Sequence, residues 1–213
     1  LLGTDGDYKG TGTPNASYYK GELTTINTYY WNNSTIKNTW SESELNKTNL
    51  NTNFITNIGT EWAAKIAETT WKVGGNTWAN IGTQPAKTAY QNEVVKPVPG
   101  STSNGETELK AKIGLMYASD YGFAAAPSAW TANLNTYNGE AIKNVNWMYM
   151  GLVEWTISRY AGNVSYVFHV NYTGNLNDYR ATSAFGVRPV FSLTSSVNYV
   201  SGSGTAADPI LIN

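Results

Sequence analysis

Apolar residues recur at helical spacing in the first third of the chain. A stripe that runs from Leu50 to Ile58 ends directly before Gly59, and this period predicts a helix that stops at the glycine. Ser41, followed three residues later by Glu44, is typical of the capping box that opens such a helix.

The same spacing returns immediately after this helix. Thr60 can cap a segment in which Trp62, Ala63 and Ile66 fall on one face. We therefore predict a second helix, directly consecutive with the first, and place Trp62 in the apolar interior.

Short strands dominate the pattern from Asn146 onward. The segments that predict them are "NWMYM", "EWTISRY", "SYVFHVN", "NLNDY" and "GVRPVFSL". Before them, "AKIGLMYASDYG" predicts a strand that leads into a turn or short helix, and "KPVPGSTSNGETE" is typical of an exposed loop. Helices first and antiparallel strands afterwards favour an α+β fold, with the helices on one side of a sheet.

One compact domain accounts for this order of elements. Residues 1–40 are expected to be an irregular lead-in of the same domain, with a strand at "ELTTINTYYW", and residues 41–213 the domain proper. Because the chain starts at Leu1 and not at Met, we interpret it as a fragment or processed form, whose export signal or anchor would lie upstream.

The segment "HVNYTGNLNDYR", residues 169–180, is typical of a β-hairpin. A three-residue loop with Gly174 in the left-handed conformation sets the register. The residues that this register places opposite each other are Asn171 and Asn175, Val170 and Leu176, and His169 and Asn177. Phe168, Val170 and Leu176 then face the core, whereas the outward face carries His169, Asn171, Asn175, Asn177 and Tyr179.

The outward face of the hairpin is either an ordinary solvated surface or a surface that contacts a partner. The composition of residues 159–213 favours the second interpretation. Residues 159–213 contain no Lys, Glu, Gln, Met or Trp. Strand propensity explains the scarcity of Lys and Glu but not that of Trp. Every residue in this stretch can be encoded by a codon that ends in C or T, as expected if template adenines had been randomised, and the nucleotide sequence would test this.

Composition excludes several classes of chemistry. The chain has no cysteine, one histidine, 14% charged residues and a net charge of -1. Disulfides, thiolate metal sites, thiol nucleophiles and histidine clusters are therefore excluded, and neither a nucleic-acid footprint nor a polybasic membrane surface is indicated. We expect no cofactor, no metal and no membrane contact by this segment.

The C-terminal part resembles a known family. "EWTISRY", "YVFHVNYTGNLN" and "FGVRPVFSLTSSVNYVSGSGTAADPI" resemble C-type-lectin-like domains of the formylglycine-generating-enzyme subtype. Upstream, "NLNTNFITNIGTEWAAKIAETTWKVGG" and "KIGLMYASDYGFA" are similar to prepilin-like surface proteins of Gram-positive gut bacteria. The likeness covers about residues 40–213.

The resemblance implies a C-type-lectin-like domain at the cell surface, whose hairpins and loops vary while the scaffold stays constant. Some such proteins are targets of diversity-generating retroelements. The framework positions that it implies are Trp155, Phe168, Val170, Gly174, Gly186, Arg188 and Pro189. The ligand-binding positions that it implies are Arg159, Tyr160, Asn163, His169, Asn171, Asn175, Asn177, Tyr179, Arg180 and Thr182.

The chain departs from this family at its catalytic and calcium sites. The oxidative chemistry of the subtype uses cysteines, which are absent here, and only Asp178 and Asp208 follow Glu154, so a calcium site of the lectin type is not expected. We therefore interpret the protein as a non-enzymatic, adhesin-like recognition domain that binds a host or bacterial surface protein or a glycan.

Three other functions stay open at this point. A structural subunit of an extracellular filament would pack the same face against neighbouring copies, and a phage receptor-binding module would share the fold. A hydrolase would need paired carboxylates, for which Glu140, Glu154 and Asp120 are the candidates.

Individual residues refine this interpretation. His169 lacks a nucleophile nearby in the sequence, which favours a contact over a general base. Arg188 is expected to be structural, with its guanidinium bonded to backbone carbonyls. The tryptophans in apolar segments are expected in the core, namely Trp62, Trp71, Trp147 and Trp155.

Overall fold

The computed structural model describes residues 29–33, 37–77, 81–82, 84–100, 105–205 and 207–213. The strands are β1 (Tyr29–Tyr30), β2 (Thr69–Lys72), β3 (Gly75–Asn76), β4 (Glu108–Ala111), β5 (Gly114–Leu115), β6 (Glu154–Tyr160), β7 (Tyr166–Val170), β8 (Leu176–Arg180), β9 (Ala184–Phe185), β10 (Pro189–Val190), β11 (Tyr199–Ser201) and β12 (Leu211–Ile212).

Helical segments lie between these strands and make the fold α+β, as predicted. The first, α1, combines π-helical turns over Leu45–Phe54 with an α-helical turn over Ile55–Asn57, and α2 is Gly59–Lys65. The others are α3 (Ala86–Tyr90, continued by π-helical Gln91–Val95), α4 (Ala118–Phe123) and α5 (Glu140–Lys143). Short 3-10 turns occupy Trp40–Glu42, Pro127–Ala129 and Leu134–Thr136.

A four-stranded sheet of order β3-β6-β7-β8 forms the centre of the fold. Its β6–β7 and β7–β8 pairs are antiparallel, whereas β3 runs parallel to β6. The remaining strands form antiparallel pairs, namely β1 with β9, β2 with β4, β5 with β10 and β11 with β12. The prediction of antiparallel pairing holds for the β6–β7–β8 segment, and the parallel β3 was not predicted.

Both faces of the central sheet are covered by apolar cores. Trp155, Ile157 and Val167 point into a cluster that includes Leu50 of α1. The alternate residues of these strands point to the other face of the sheet, into a second cluster that includes Phe168, Val170 and Leu176. Side chains of α3 and α4 complete this cluster. The predicted core face of the hairpin is therefore confirmed, but its other face also begins in a core. Helices pack on both sides of the sheet, not on one side as predicted.

Tryptophan indoles fix the start of the described chain to the sheet. Trp31, which is fully buried, donates from Nε1 to the carbonyl of Thr156 at 3.1 Å. In return, Trp155 donates from Nε1 to the carbonyl of Tyr29 at 2.9 Å. The expected lead-in 1–40 falls largely outside the described residues. Its described end contains β1, which lies within the strand predicted at "ELTTINTYYW", and Trp31, which belongs to the core.

The first predicted helix is present, although its start differs from the prediction. Leu50 is fully buried and Phe54 and Ile58 pack against the first cluster, as the stripe predicts. The hydroxyl that accepts at the helix start belongs to Ser43, whose Oγ receives the amide of Asn46 at 3.3 Å. Ser41 instead lies in the preceding 3-10 turn.

Two of the four tryptophans expected in the core are exposed. Trp71 and Trp155 are buried, but Trp62 is 50% and Trp147 is 77% exposed. For Trp62 the reason is the short length of α2, which has no buried residue. Ile66, which was expected on the same face, directly follows α2 and is 2% exposed, so only the end of this face reaches the core.

The predicted strand "NWMYM" is wrong, because this segment forms turns. Asn146 accepts the amide of Met148 on its side-chain oxygen at 3.0 Å and donates to the carbonyl of Tyr121 at 2.9 Å. A local side-chain turn therefore replaces a strand ladder. Helix α3 was also not predicted.

No helix among the described residues is long and apolar enough to cross a membrane.

Candidate functional site

The β7–β8 hairpin forms in the predicted register. His169 pairs with Asn177 and Val170 with Leu176, and the loop closes through the amide of Asn171, which donates to the carbonyl of Asn175 at 2.8 Å. Gly174 has a φ of 98°, the left-handed conformation that this loop requires.

The outward face of the hairpin forms one side of a concave surface of about 580 Å³, a size typical of ligand sites. We call it the His169 cleft. Its lining consists of Tyr30, Val153, His169, Asn171, Tyr172, Asn177, Tyr179, Ser183, Ala184 and Phe185. Four of the ten residues predicted to bind ligand are therefore brought together, namely His169, Asn171, Asn177 and Tyr179.

His169 lies at the base of the cleft and is only 4% exposed. Its ring is surrounded by aromatic rings, with centroids at 4.9 Å from Phe185, 6.1 Å from Trp155 and 6.2 Å from Tyr179. Burial lowers the pKa of His169 to about 4, so the imidazole is neutral near pH 7.

The Nδ1 atom of His169 is buried and has no hydrogen-bond partner among the described residues. A buried polar atom without a partner costs about 1–3 kcal/mol. The lining around it offers amides and hydroxyls in addition to rings. The base of the cleft thus contains the neutral imidazole of His169, which is able to form a hydrogen bond and is surrounded by aromatic rings.

The far wall of the cleft comes from a distant part of the sequence. Strand β1 pairs with β9 so that Tyr30 lies opposite Ala184. Tyr179 packs on Phe185 at 5.6 Å and remains 52% exposed. Tyr30, Val153, Tyr172, Ser183, Ala184 and Phe185 were not predicted. Tyr172 could have been predicted from its place in the hairpin loop. Tyr30 could not, because the two-residue strands β1 and β9 are far apart in the sequence and show no periodic pattern.

Arg159 lies in the interior, which corrects the expectation that it contacts ligand at the surface. It is 1% exposed and donates to the carbonyl of Glu106, whose carboxylate lies 4.0 Å from Nη1. The cause is strand parity, since Arg159 pairs with Val167 and shares the inner face with Ile157. Burial lowers the pKa of Arg159.

The five other predicted positions do not line the cleft. Tyr160 lies on the opposite face of the sheet and packs on Phe168 at 5.8 Å. Asn163 lies in the β6–β7 turn, and Arg180 is exposed at the end of β8. Asn175 accepts the hydroxyl of Thr173 at 2.7 Å within the hairpin loop, and Thr182 follows β8 and is half-buried.

Arg188, a predicted framework residue, forms an ion pair with Glu154 next to Met148 of the second cluster. Its Nη2 donates to both carboxylate oxygens of Glu154, at 2.8 and 2.7 Å, and to the carbonyl of Met148 at 2.9 Å. The bond to a backbone carbonyl agrees with the prediction, and the partner Glu154 was not foreseen.

The candidate carboxylates of a hydrolase are used in other ways. Glu154 is committed to Arg188, and Glu140 lies exposed in the first turn of α5. Asp120 accepts the amide of Tyr117 at the start of α4. Within the described ranges, no group of three or more His, Cys, Asp or Glu residues could hold a metal ion.

Comparison with known proteins gives one match. The model of a family described as Domain of unknown function (DUF6273) matches residues 20–195. No curated protein and no solved structure matches the chain. The matched range contains the whole His169 cleft and ends before β11.

Proposed function

The chain belongs to the DUF6273 family, and from this premise we propose that it is a non-enzymatic recognition domain that binds its ligand in the His169 cleft. The ligand is a surface protein or a glycan met outside the cell. A C-type-lectin-like fold and display on a pilin-like surface protein are part of this proposal and rest on the sequence resemblance.

The observation that carries the proposal is the state of His169. A neutral imidazole, 96% removed from solvent, lines an open cleft while its Nδ1 has no partner among the described residues. A ligand hydroxyl or amide would supply the missing hydrogen bond after a neighbouring side chain moves to give access to Nδ1, which has almost no accessible surface. Because the polar group is already desolvated, such a bond adds to affinity without a further dehydration cost on the protein side.

The rest of the lining suits an uncharged ligand. Tyr30, Tyr172 and Tyr179 are between 46% and 63% exposed and offer ring faces and hydroxyls. Tyrosine supplies a large contact area at low cost in conformational entropy, as in antibody paratopes. Among the described residues, no Lys, Arg, Asp or Glu lines the cleft, so recognition would depend on shape and hydrogen bonds.

A binding screen against surface glycans and surface proteins tests the proposal. We expect a ligand of the parent protein to lose at least about tenfold in affinity in the double variant Asn177→Ala, Tyr179→Ala, since each truncation removes about 1 kcal/mol or more of contact. Both positions are on an edge strand and partly exposed, so the variant should stay folded.

A matched control carries Asn163→Ala and Tyr199→Ala, which alter the same residue types outside the cleft. Its affinity should equal that of the parent. Equal losses in both double variants, or no loss in the first, would contradict recognition through the cleft.

One observation favours the filament subunit as a second candidate function. The β11–β12 pair exposes apolar side chains on a two-stranded ribbon, namely Tyr199, Val200, Ile210 and Leu211, each at least 50% exposed. Contact with a neighbouring copy would cover them. Sedimentation velocity over a range of concentrations tests this: concentration-dependent oligomers that Val200→Ser abolishes would support it, and a monomer throughout would exclude self-assembly by the isolated chain.

A further inference from the structure

A second concave surface lies on the other side of the central sheet, where the turn after α5 meets α4 and β10. It has a volume of about 460 Å³ and is lined largely by apolar side chains. Its main lining residues are Met116, Asp120, Phe123, Trp147, Met148 and Arg188. We call it the Trp147 pocket, and it shares no lining residue with the His169 cleft.

Trp147 stands open to solvent although its backbone is fixed. Its amide donates to the carbonyl of Ala124 at 3.4 Å, at the end of α4, and the side chain is 77% exposed. Leaving an indole in water forgoes about 1.5–3 kcal/mol of burial. Beside it, Phe123 gives a second ring, which Trp130 holds edge-on at 5.4 Å.

The charge of the pocket comes from Asp120. Arg188 also lines it, but the Arg188 charge is balanced by both oxygens of Glu154 at 2.7–2.8 Å. Asp120 forms no ion pair within the described part of the chain. Its Oδ2 accepts the amide of Tyr117 at 2.9 Å, which fixes the carboxylate in place.

We propose that the Trp147 pocket binds an organic ammonium group carried on an apolar body. The ammonium would lie between the Asp120 carboxylate and the indole face of Trp147, and the apolar body would contact the methionine floor. An indole face and a carboxylate are the two groups that stabilise such a cation. Met116 and Met148 are buried and unbranched, and they adapt to different apolar bodies.

Burial raises the pKa of Asp120, which agrees with a carboxylate that gains from a cation beside it. The same chemistry could come from a lysine side chain of a protein or from a free amine. The two sources differ in the peptide groups next to the apolar stem.

The test is a titration of the folded chain, followed by the indole N–H signals of its eight tryptophans in two-dimensional NMR. The probes are phenethylammonium for a free amine, Nα-acetyl-lysine methylamide for a protein lysine, and 3-phenylpropionate as the anionic isostere. We expect phenethylammonium to bind at least about tenfold more tightly than 3-phenylpropionate, with shifts at Trp147. The lysine probe tells which source fits better.

Two variants assign the binding to this pocket. Asp120→Asn keeps an oxygen for the Tyr117 amide and removes only the charge, and Trp147→Ala removes an exposed ring. Each should weaken phenethylammonium binding at least about fivefold. Matched controls are Glu140→Gln and Trp62→Ala, which alter the same chemistry at exposed positions outside the pocket and should have no effect.

Three outcomes would overturn the proposal. The first is that phenethylammonium does not bind at concentrations up to about 10 mM, which is well above the micromolar dissociation constants of ordinary sites. The second is tighter binding of 3-phenylpropionate than of phenethylammonium. The third is that the Asp120→Asn variant binds phenethylammonium as tightly as the parent. Preference for the anion would assign the pocket to Arg188 instead. The variants of the His169 cleft should bind phenethylammonium normally, so failure of one proposal does not affect the other.

Discussion

The Arg188–Glu154 ion pair shows how single residues hold this fold together. Glu154 is 2% exposed and begins the central strand β6. Burial raises the pKa of Glu154, and Arg188 lowers it again. A carboxylate in this position depends on its partner, because a buried charge without compensation is costly.

We predict that Arg188→Met destabilises the protein by roughly 3–5 kcal/mol, the usual cost of breaking a buried pair from one side. The double variant with Glu154→Gln should recover part of this loss, since no charge then remains buried. Urea denaturation measures the free energy of unfolding. As a control, Lys37→Met at the exposed Lys37–Glu42 pair should cost less than about 1 kcal/mol. An Arg188→Met loss as small as that of the control would contradict this account.

The geometry of the β7–β8 hairpin depends on one backbone conformation. Gly174 has a positive φ, and a Cβ there would lie 3.2 Å from Cβ of Lys143 and 3.3 Å from the carbonyl oxygen of Tyr137. Both conformation and space therefore favour glycine.

Gly174→Ala should cost about 1–2 kcal/mol for the left-handed conformation and more if the neighbours do not give way. Thermal unfolding measures the loss, and amide exchange of β7 and β8 should increase more than that of β2. Gly139→Ala is the matched control, because its φ is -61° and its nearest such contact is 3.6 Å. Equal effects of the two substitutions would show that the loop conformation is not limiting.

At the scale of elements, structure that depends on neighbouring residues could be predicted from the sequence, whereas pairing between distant strands could not. The hairpin register follows from a glycine three residues into a loop, and the exact bounds of β6 follow from its sequence. The pairs β1–β9 and β3–β6 join residues more than 80 positions apart through two-residue strands, which leave no periodicity to detect. Three of the six cleft residues that were not predicted, Tyr30, Ala184 and Phe185, belong to the β1–β9 pair. Trp62 and Trp147 were misplaced because spacing alone does not reveal what a helix or turn packs against.

At the scale of the whole molecule, two buried groups oppose each other in their response to pH. Burial raises the pKa of Glu93 from its ordinary 4.5 to about 7 and lowers the pKa of His169 from 6.5 to about 4. Glu93 therefore contributes stability that is present below pH 4.5 and lost as pH rises through 7. The contribution of His169 is present above pH 6.5 and lost as pH falls through 4.

Each pKa shift changes the free energy of unfolding by roughly 3 kcal/mol over its full pH range. Between about pH 4.5 and 6.5 the changes from Glu93 and His169 are opposite in sign and cancel. We predict that the free energy of unfolding of Glu93→Gln, measured relative to the parent, rises by up to roughly 3 kcal/mol from pH 4.5 to 7. That of His169→Gln should fall relative to the parent from pH 4 to 6.5. Urea denaturation at several pH values measures both. Parallel curves for parent and variants would contradict the assignment of these pKa values to the folded state.

The pairing of β1 with β9 has a consequence for the order in which this protein becomes competent. One wall of the His169 cleft is contributed by Tyr30 and the other by residues 169–185. A chain made from its amino end therefore carries the first wall through the synthesis of some 140 further residues before the second exists. If the cleft binds a ligand as proposed, a chain that ends before β9 lacks one of its walls and should not bind that ligand.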